Sequence, residues 1–209
     1  MRTLKILFFN TLILLISSIF LQIIGLFFNI YISKTIGEEA VGVFSLVMSV
    51  YTFGITLASA GINISATRIV SEELACKNEI SAKKAAKRCI FFSLIFGICA
   101  STIFFIFADF ITLKCLHGRI SKNVIYLICI ALPFISMSSA VNGYFTAVRR
   151  VYKNAFAKFF EELVKIVCTT FLLSSIMPSG IDYACYALIL ADVISEVLSF
   201  LYLYILYKF

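Results

Sequence analysis

Six apolar stretches, each long enough to cross a bilayer and parted from the next by a short polar or basic segment, account for almost the whole chain. They run approximately over residues 6–32, 42–67, 89–112, 123–147, 159–177 and 183–207. A helix needs about 20 residues to span the hydrocarbon core. Backbone groups in lipid must find partners within the chain, so spans of this length form helices rather than barrel strands. The fold class is therefore all-α, an integral membrane bundle of six transmembrane helices over residues 1–209. Composition agrees, with 62% hydrophobic and only 14% charged residues. Too little chain lies outside the spans for a soluble domain.

A formal net charge of +7 would suggest a nucleic-acid partner in a soluble protein, but here the charge follows topology. With the N-terminus in the cytoplasm, thirteen Lys and Arg fall on the inner side, in the segments holding Arg68, Lys83, Lys84, Lys87, Arg88, Arg149, Arg150, Lys153 and Lys158 among others. The outer loops hold four: Lys34, Lys114, Arg119 and Lys122. The positive-inside rule thus places both termini of a multi-pass cell-membrane protein in the cytoplasm. No nucleic acid is expected, while the run Lys83-Lys84-Ala85-Ala86-Lys87-Arg88 is placed to touch anionic lipid headgroups. The seven cysteines include no C-x-x-C pair and read as small apolar fillers. The start Met1-Arg2-Thr3-Leu4-Lys5 is like that of a signal peptide, but the following span is too long and lacks a small-x-small cleavage site, so it is expected to stay as a helix.

The polar residues within the spans narrow the reading. In the second span Ser45, Ser49, Thr52, Thr56, Ser59, Asn63 and Thr67 recur every three or four residues and form one stripe of a helix. Such hydroxyls either bond back to their own backbone or line a wet cavity. Ser139, Asn142, Thr146 and Arg149 repeat the pattern in the fourth span, after Pro133, which is expected to kink it. The small residues Ala86, Cys89, Ser93, Gly97 and Ser101 form a stripe suited to close helix packing. The fifth span carries Glu161 and Lys165, four apart in the order that favours an intrahelical ion pair. The sixth carries Asp192 and Glu196, also four apart. A charge at the bilayer centre costs about 2.5 to 3.5 kcal/mol on insertion scales, so these groups should face protein or water.

An enzyme is not expected. The only histidine is His117 in a predicted outer loop, no G-x-S-G occurs for an intramembrane serine protease, and H-E-x-x-H is impossible. Neither a metal site nor a cofactor is called for.

Particular segments do resemble a known family. Ile36-Gly37-Glu38-Glu39-Ala40-Val41-Gly42-Val43-Phe44 resembles the turn between the first two spans of the polysaccharide-transporter and stage V sporulation protein B family. That family belongs to the multidrug/oligosaccharidyl-lipid/polysaccharide exporter superfamily. The stretch from Leu57 to Glu72 is similar to its second-span exit. Asn142-Gly143-Tyr144-Phe145, followed by Asn154-Ala155 and Glu161-x-x-x-Lys165, is similar to the stretch in which an R-G-Y-F-Q-G motif precedes a Glu and a basic residue. Asn63 stands where proline is common, Asn142 where arginine is common, and Gln22 and Asn29 where lipid II flippases place arginines.

The resemblance implies one six-helix lobe of a two-lobed flippase. Its substrate would be an undecaprenyl-pyrophosphate-linked saccharide, a cell-wall or spore-cortex precursor, moved to the outer leaflet by alternating access. It further implies that Arg68 and Lys165 meet the phosphate charge, that Asn63, Ser59 and Asn142 bond sugar hydroxyls, that Glu161 orients Lys165, and that Asp192 or Glu196 couples a cation. Partners would be the lipid-linked saccharide, membrane lipids and a second lobe from another chain or a homodimer. A six-span substrate-capturing subunit of a small-molecule importer, and an inactive fragment of a split gene, also suit the span count.

Overall fold

The computed structural model of the protein describes residues 2–76, 79–116, 121–176 and 181–208, which are helical almost throughout. His117 and Arg119 of the predicted outer loop, and Lys77 of the inner one, lie outside the described residues. Helix α1 runs Arg2–Ile36, α2 Glu38–Ser59, α3 Ile62–Ala75 and α4 Glu79–Ile106. The three-residue α5, Ala108–Phe110, passes into a π turn at Ile111–Cys115. Then come α6 Lys122–Ala147, α7 Tyr152–Ile176 and α8 Ile181–Lys208.

Five apolar segments are long enough to cross a membrane: Leu15–Ile36, Ala40–Ala75, Glu79–Ile106, Lys122–Ala147 and Tyr183–Lys208. At 25 residues, α7 reaches about 37 Å and is long enough as well. It carries Glu161, Glu162 and Lys165 within that length, so its composition does not mark it as an apolar span. The second span differs from expectation in a further respect. It is two helices, broken at Ala60-Gly61, because Gly61 takes the left-handed conformation (φ 72°) that other residues adopt only at a cost. The break frees the carbonyl of Ala58, and the Ser136 hydroxyl lies 3.0 Å from it.

Helix α6 forms the centre and packs against α2, α3, α4, α7 and α8. Val124, Ile125, Ile128, Ala131 and Leu132 are buried around it. The small-residue stripe of α4 meets α6 at very short range. A β-carbon on Gly97 would stand 2.6 Å from the Pro133 Cα, so only glycine fits. Gly143 plays the same part against α3, where a β-carbon would stand 2.6 Å from the Asn63 carbonyl oxygen. Pro133 lies inside an unbroken α6. Proline cannot bond the carbonyl four residues earlier, and that carbonyl, of Cys129, instead accepts a 2.7 Å hydrogen bond from Ser101. In this way α4 satisfies the backbone group that the proline leaves open, as a lipid environment requires.

Helix α1 packs mainly against α7 and α2, with Phe28 and Ile32 joining Ala184 and Leu188 of α8 in one apolar cluster. Leu15, Ile16, Phe20, Leu26 and Phe27 stay exposed along it, as do Phe91, Phe92 and Phe96 on α4. Apolar side chains pointing outward all round a bundle are what lipid as solvent allows.

Candidate functional site

The charges that the sequence places in the last two spans come together where α7 packs on α8. On α7, Lys158, Glu161, Glu162, Lys165 and Thr169 follow one another at helical spacing, and on α8 Asp192, Glu196 and Ser199 do the same. The Lys165 ammonium lies 2.8 Å from Asp192 Oδ1, with the Lys165 and Asp192 side chains 24% and 6% exposed. It also stands over the Phe28 ring of α1, 6.0 Å from its centroid. One turn away, Glu161 Oε1 pairs with Lys158 Nζ at 3.1 Å, and its Oε2 accepts a 2.9 Å bond from Ser199.

This arrangement corrects the expected pairing of Glu161 with Lys165. Two ion pairs with other partners replace it: Glu161 takes Lys158 and the Ser199 hydroxyl, while Lys165 reaches across to the neighbouring helix. A lysine four residues after a glutamate has the option of an intrahelical pair worth about 0.2–0.5 kcal/mol. Pairing with a buried Asp192 gains more, since a buried carboxylate without a partner is costly.

Lys165 and Asp192 line a cavity of about 800 Å³ between α1, α2, α7 and α8. Its polar wall comprises Gln22, Asn29 and Ser33 of α1, Ser45 of α2, Glu162 and Thr169 of α7, and these two groups. Two buried polar atoms in that wall, Asp192 Oδ2 and Thr169 Oγ1, have no hydrogen-bond partner. The Tyr51 hydroxyl of α2 is likewise buried without a partner. In the cluster as a whole, two lysines stand against four carboxylates.

The remaining expected residues lie elsewhere. Arg68 is exposed on α3 and pairs with Glu72 at 2.9 Å. The Ser59 hydroxyl bonds the Ile55 carbonyl at 2.7 Å. Asn63 is exposed, and its carbonyl accepts from Thr67. Asn142 is half-buried, and its backbone oxygen accepts a 3.0 Å bond from the Asn154 amide, which ties α6 to α7. None of these four lines the cavity of Lys165 and Asp192. Glu196 belongs to the charged cluster but not to the cavity wall. Along α2 the hydroxyls of Ser45, Ser49, Thr52, Thr56 and Ser59 each bond a carbonyl four residues earlier, at 2.7–2.9 Å.

Sequence reasoning passed over Thr169, Tyr51 and Ser199. For Thr169 and Ser199 a signal existed, because they extend the polar stripes of α7 and α8 by one turn. Tyr51 had none, since it falls on the apolar stripe of Val43, Val47 and Ala58.

A bundle of long apolar helices surrounding ion-paired charges is a multi-pass membrane protein. This one belongs to the polysaccharide biosynthesis protein family, whose model matches residues 7–209. Among curated proteins it is similar to Stage V sporulation protein B of Bacillus subtilis (strain 168), 26% identical over 204 residues, covering 96% of this chain and 39% of that protein. It is also similar to Sporulation protein YkvU of the same organism, 24% identical, covering 92% of this chain and 41% of that protein. The chain thus spans about two-fifths of the length of the curated relatives it matches. A solved structure, the outward-facing conformation of a multidrug resistance MATE family transporter of the MOP superfamily, shares the fold. Its TM-score is 0.67 at 17% identity, over 88% of this chain and 41% of that one.

Proposed function

We propose that residues 1–209 form one lobe of a lipid-linked saccharide flippase whose α1–α2–α7–α8 cavity receives the polar headgroup while the polyprenyl tail stays in the bilayer. One observation carries this reading. The cavity wall holds a Lys165–Asp192 pair that is open to exchange, with Asp192 Oδ2 and Thr169 Oγ1 unpartnered beside it. A phosphate group entering the cavity competes with Asp192 for the Lys165 ammonium. Asp192 then loses its counter-charge in a low-dielectric place and takes a proton or a cation instead. Headgroup and coupling ion therefore share one ion pair, and binding of the first promotes binding of the second. Amides and hydroxyls of Gln22, Asn29, Ser33 and Thr169 are suited to sugar hydroxyls. Glu161 and Glu196 hold Lys158 at one end of the cluster.

Family membership and the shared fold support the transporter reading, and the share of the relatives that the chain covers fits a lobe whose opposite wall comes from a second lobe, another chain or a second copy. The excess of Lys and Arg in the predicted inner segments supports a cytoplasmic location for both termini. Arg68, exposed on α3, would meet the phosphate at entry rather than in the cavity. The test is translocation of a fluorescent lipid-linked saccharide in proteoliposomes containing the full two-lobe assembly. Lys165→Ala and Asp192→Ala should each abolish transport. Transport at the unaltered rate in both variants would refute the assignment.

A further inference from the structure

A second polar cavity, of about 240 Å³, lies apart from the first, at the ends of the helices where basic residues collect. Glu79 and Lys83 of α4, Tyr144 of α6, Arg150 and Lys153 at the start of α7, and Tyr207 of α8 line it. Three cations thus face one carboxylate. Among the described residues none of the three forms an ion pair. The Lys153 ammonium is held in place, donating a 3.2 Å bond to the Leu206 carbonyl at the end of α8 and standing 4.9 Å from the centroid of the Phe145 ring. Burial, and then the neighbouring Arg150 guanidinium, hold its amine below the usual lysine range, which marks a place short of negative charge.

The walls are fixed as well. The Tyr207 hydroxyl donates to the Lys83 carbonyl at 3.0 Å, and the rings of Tyr144 and Tyr207 meet edge to face with centroids 4.9 Å apart. Topology alone explains why basic residues gather at this end of the bundle. It does not explain why three of them, drawn from two segments far apart in sequence, share the wall of one cavity while Lys84 and Lys87 of the same basic run do not. The volume is below the range of about 300–1,000 Å³ typical of drug-sized ligands, so it admits a compact charged group and not a saccharide. Basic pockets between membrane helices at the lipid surface are where anionic headgroups bind.

We propose that this cavity binds a phosphate group, carried by an anionic phospholipid headgroup or free in solution. An occupant would tie the ends of α4, α6, α7 and α8 together.

The test uses the full chain in nanodiscs of phosphatidylcholine, with and without phosphatidylglycerol, and in neutral detergent with and without inorganic phosphate. Thermal unfolding and native mass spectrometry give the readouts. Phosphatidylglycerol should raise the unfolding temperature and stay bound in the mass spectrum. Arg150→Gln and Lys83→Gln, both at exposed positions that a folded bundle tolerates, should each weaken that binding about tenfold. The control Lys84→Gln/Lys87→Gln removes the same kind of charge outside the cavity and should leave it nearly unchanged. If inorganic phosphate protects in the same Arg150-dependent way, the site stands and its phosphate comes from solution. Equal losses in control and cavity variants, or no effect of either phosphate source, would overturn the proposal.

Discussion

The Lys165–Asp192 pair permits a quantitative test of whether the charged cluster is a matched unit. Its atoms lie 2.8 Å apart. At an effective dielectric of about 20 the gross attraction at that distance is about 6 kcal/mol, and most of it is cancelled by the cost of desolvating both groups. Truncation therefore measures what is left behind. Lys165→Met leaves Asp192, 4% exposed and already with one unpartnered oxygen, as a buried lone charge. Removing one partner of a buried pair costs about 3–5 kcal/mol, and the value should fall near the lower end because the cavity admits water. Asp192→Asn should cost less, about 1–2 kcal/mol, since Lys165 is the more exposed partner and keeps Glu162 beside it on the cavity wall. The double variant Lys165→Met/Asp192→Asn removes both charges and should cost about 1–2 kcal/mol, well below the sum of the singles. Reversible unfolding in mixed micelles, followed by helical circular dichroism, gives the three free energies. If Lys165→Met changes stability by less than about 0.5 kcal/mol, or if the double variant equals the sum of the singles, the pair is not a buried unit and the exchange mechanism loses its basis.

Two further outcomes test the packing that positions the cavity. Gly97→Ala and Gly143→Ala each drive a β-carbon to 2.6 Å from a neighbouring backbone atom, so each should lower stability by about 1–3 kcal/mol through forced helix separation; a surface glycine without neighbours, Gly42→Ala, serves as the control in the same unfolding assay. Ser101→Ala should cost about 1 kcal/mol by stranding the Cys129 carbonyl, and should cost almost nothing in a Pro133→Ala background, where the restored backbone N–H satisfies that carbonyl instead. A double-mutant cycle that shows no coupling would refute the link.

The all-helical membrane bundle and the small-residue stripe were legible because lipid enforces simple rules: length sets a crossing and glycine or serine sets a close contact. Pairing within the cluster was not legible. Sequence spacing sees only i, i+4 neighbours on one helix, and so joins Glu161 to Lys165. Which way a lysine turns depends on the adjacent helix, and here α8 presents Asp192 to Lys165 and Ser199 to Glu161. The break at Gly61 escaped for a related reason, since glycine is common inside membrane helices and only its left-handed backbone reveals a stop. The family resemblance joined Arg68 and Lys165 as one phosphate site. In three dimensions α3 packs on α4 and α6, whereas α7 packs on α1 and α8.

The α2 stripe then takes on a different meaning. Its hydroxyls are exposed, yet all bond their own backbone, so facing lipid costs them little and facing water gains little. Such a face is nearly indifferent to its surroundings. It neither demands a partner nor repels one, which suits the proposed flippase lobe, whose facing wall would be wet in one state and covered in the next. The demand comes instead from α7 and α8, where four carboxylates outnumber two lysines. On the proposed reading, a second lobe, a bound cation or a proton balances that excess. Among the described ion pairs of the cluster, Lys165–Asp192 is the one that lies in the cavity wall, so on the proposed reading it is the point where that balance and the headgroup meet.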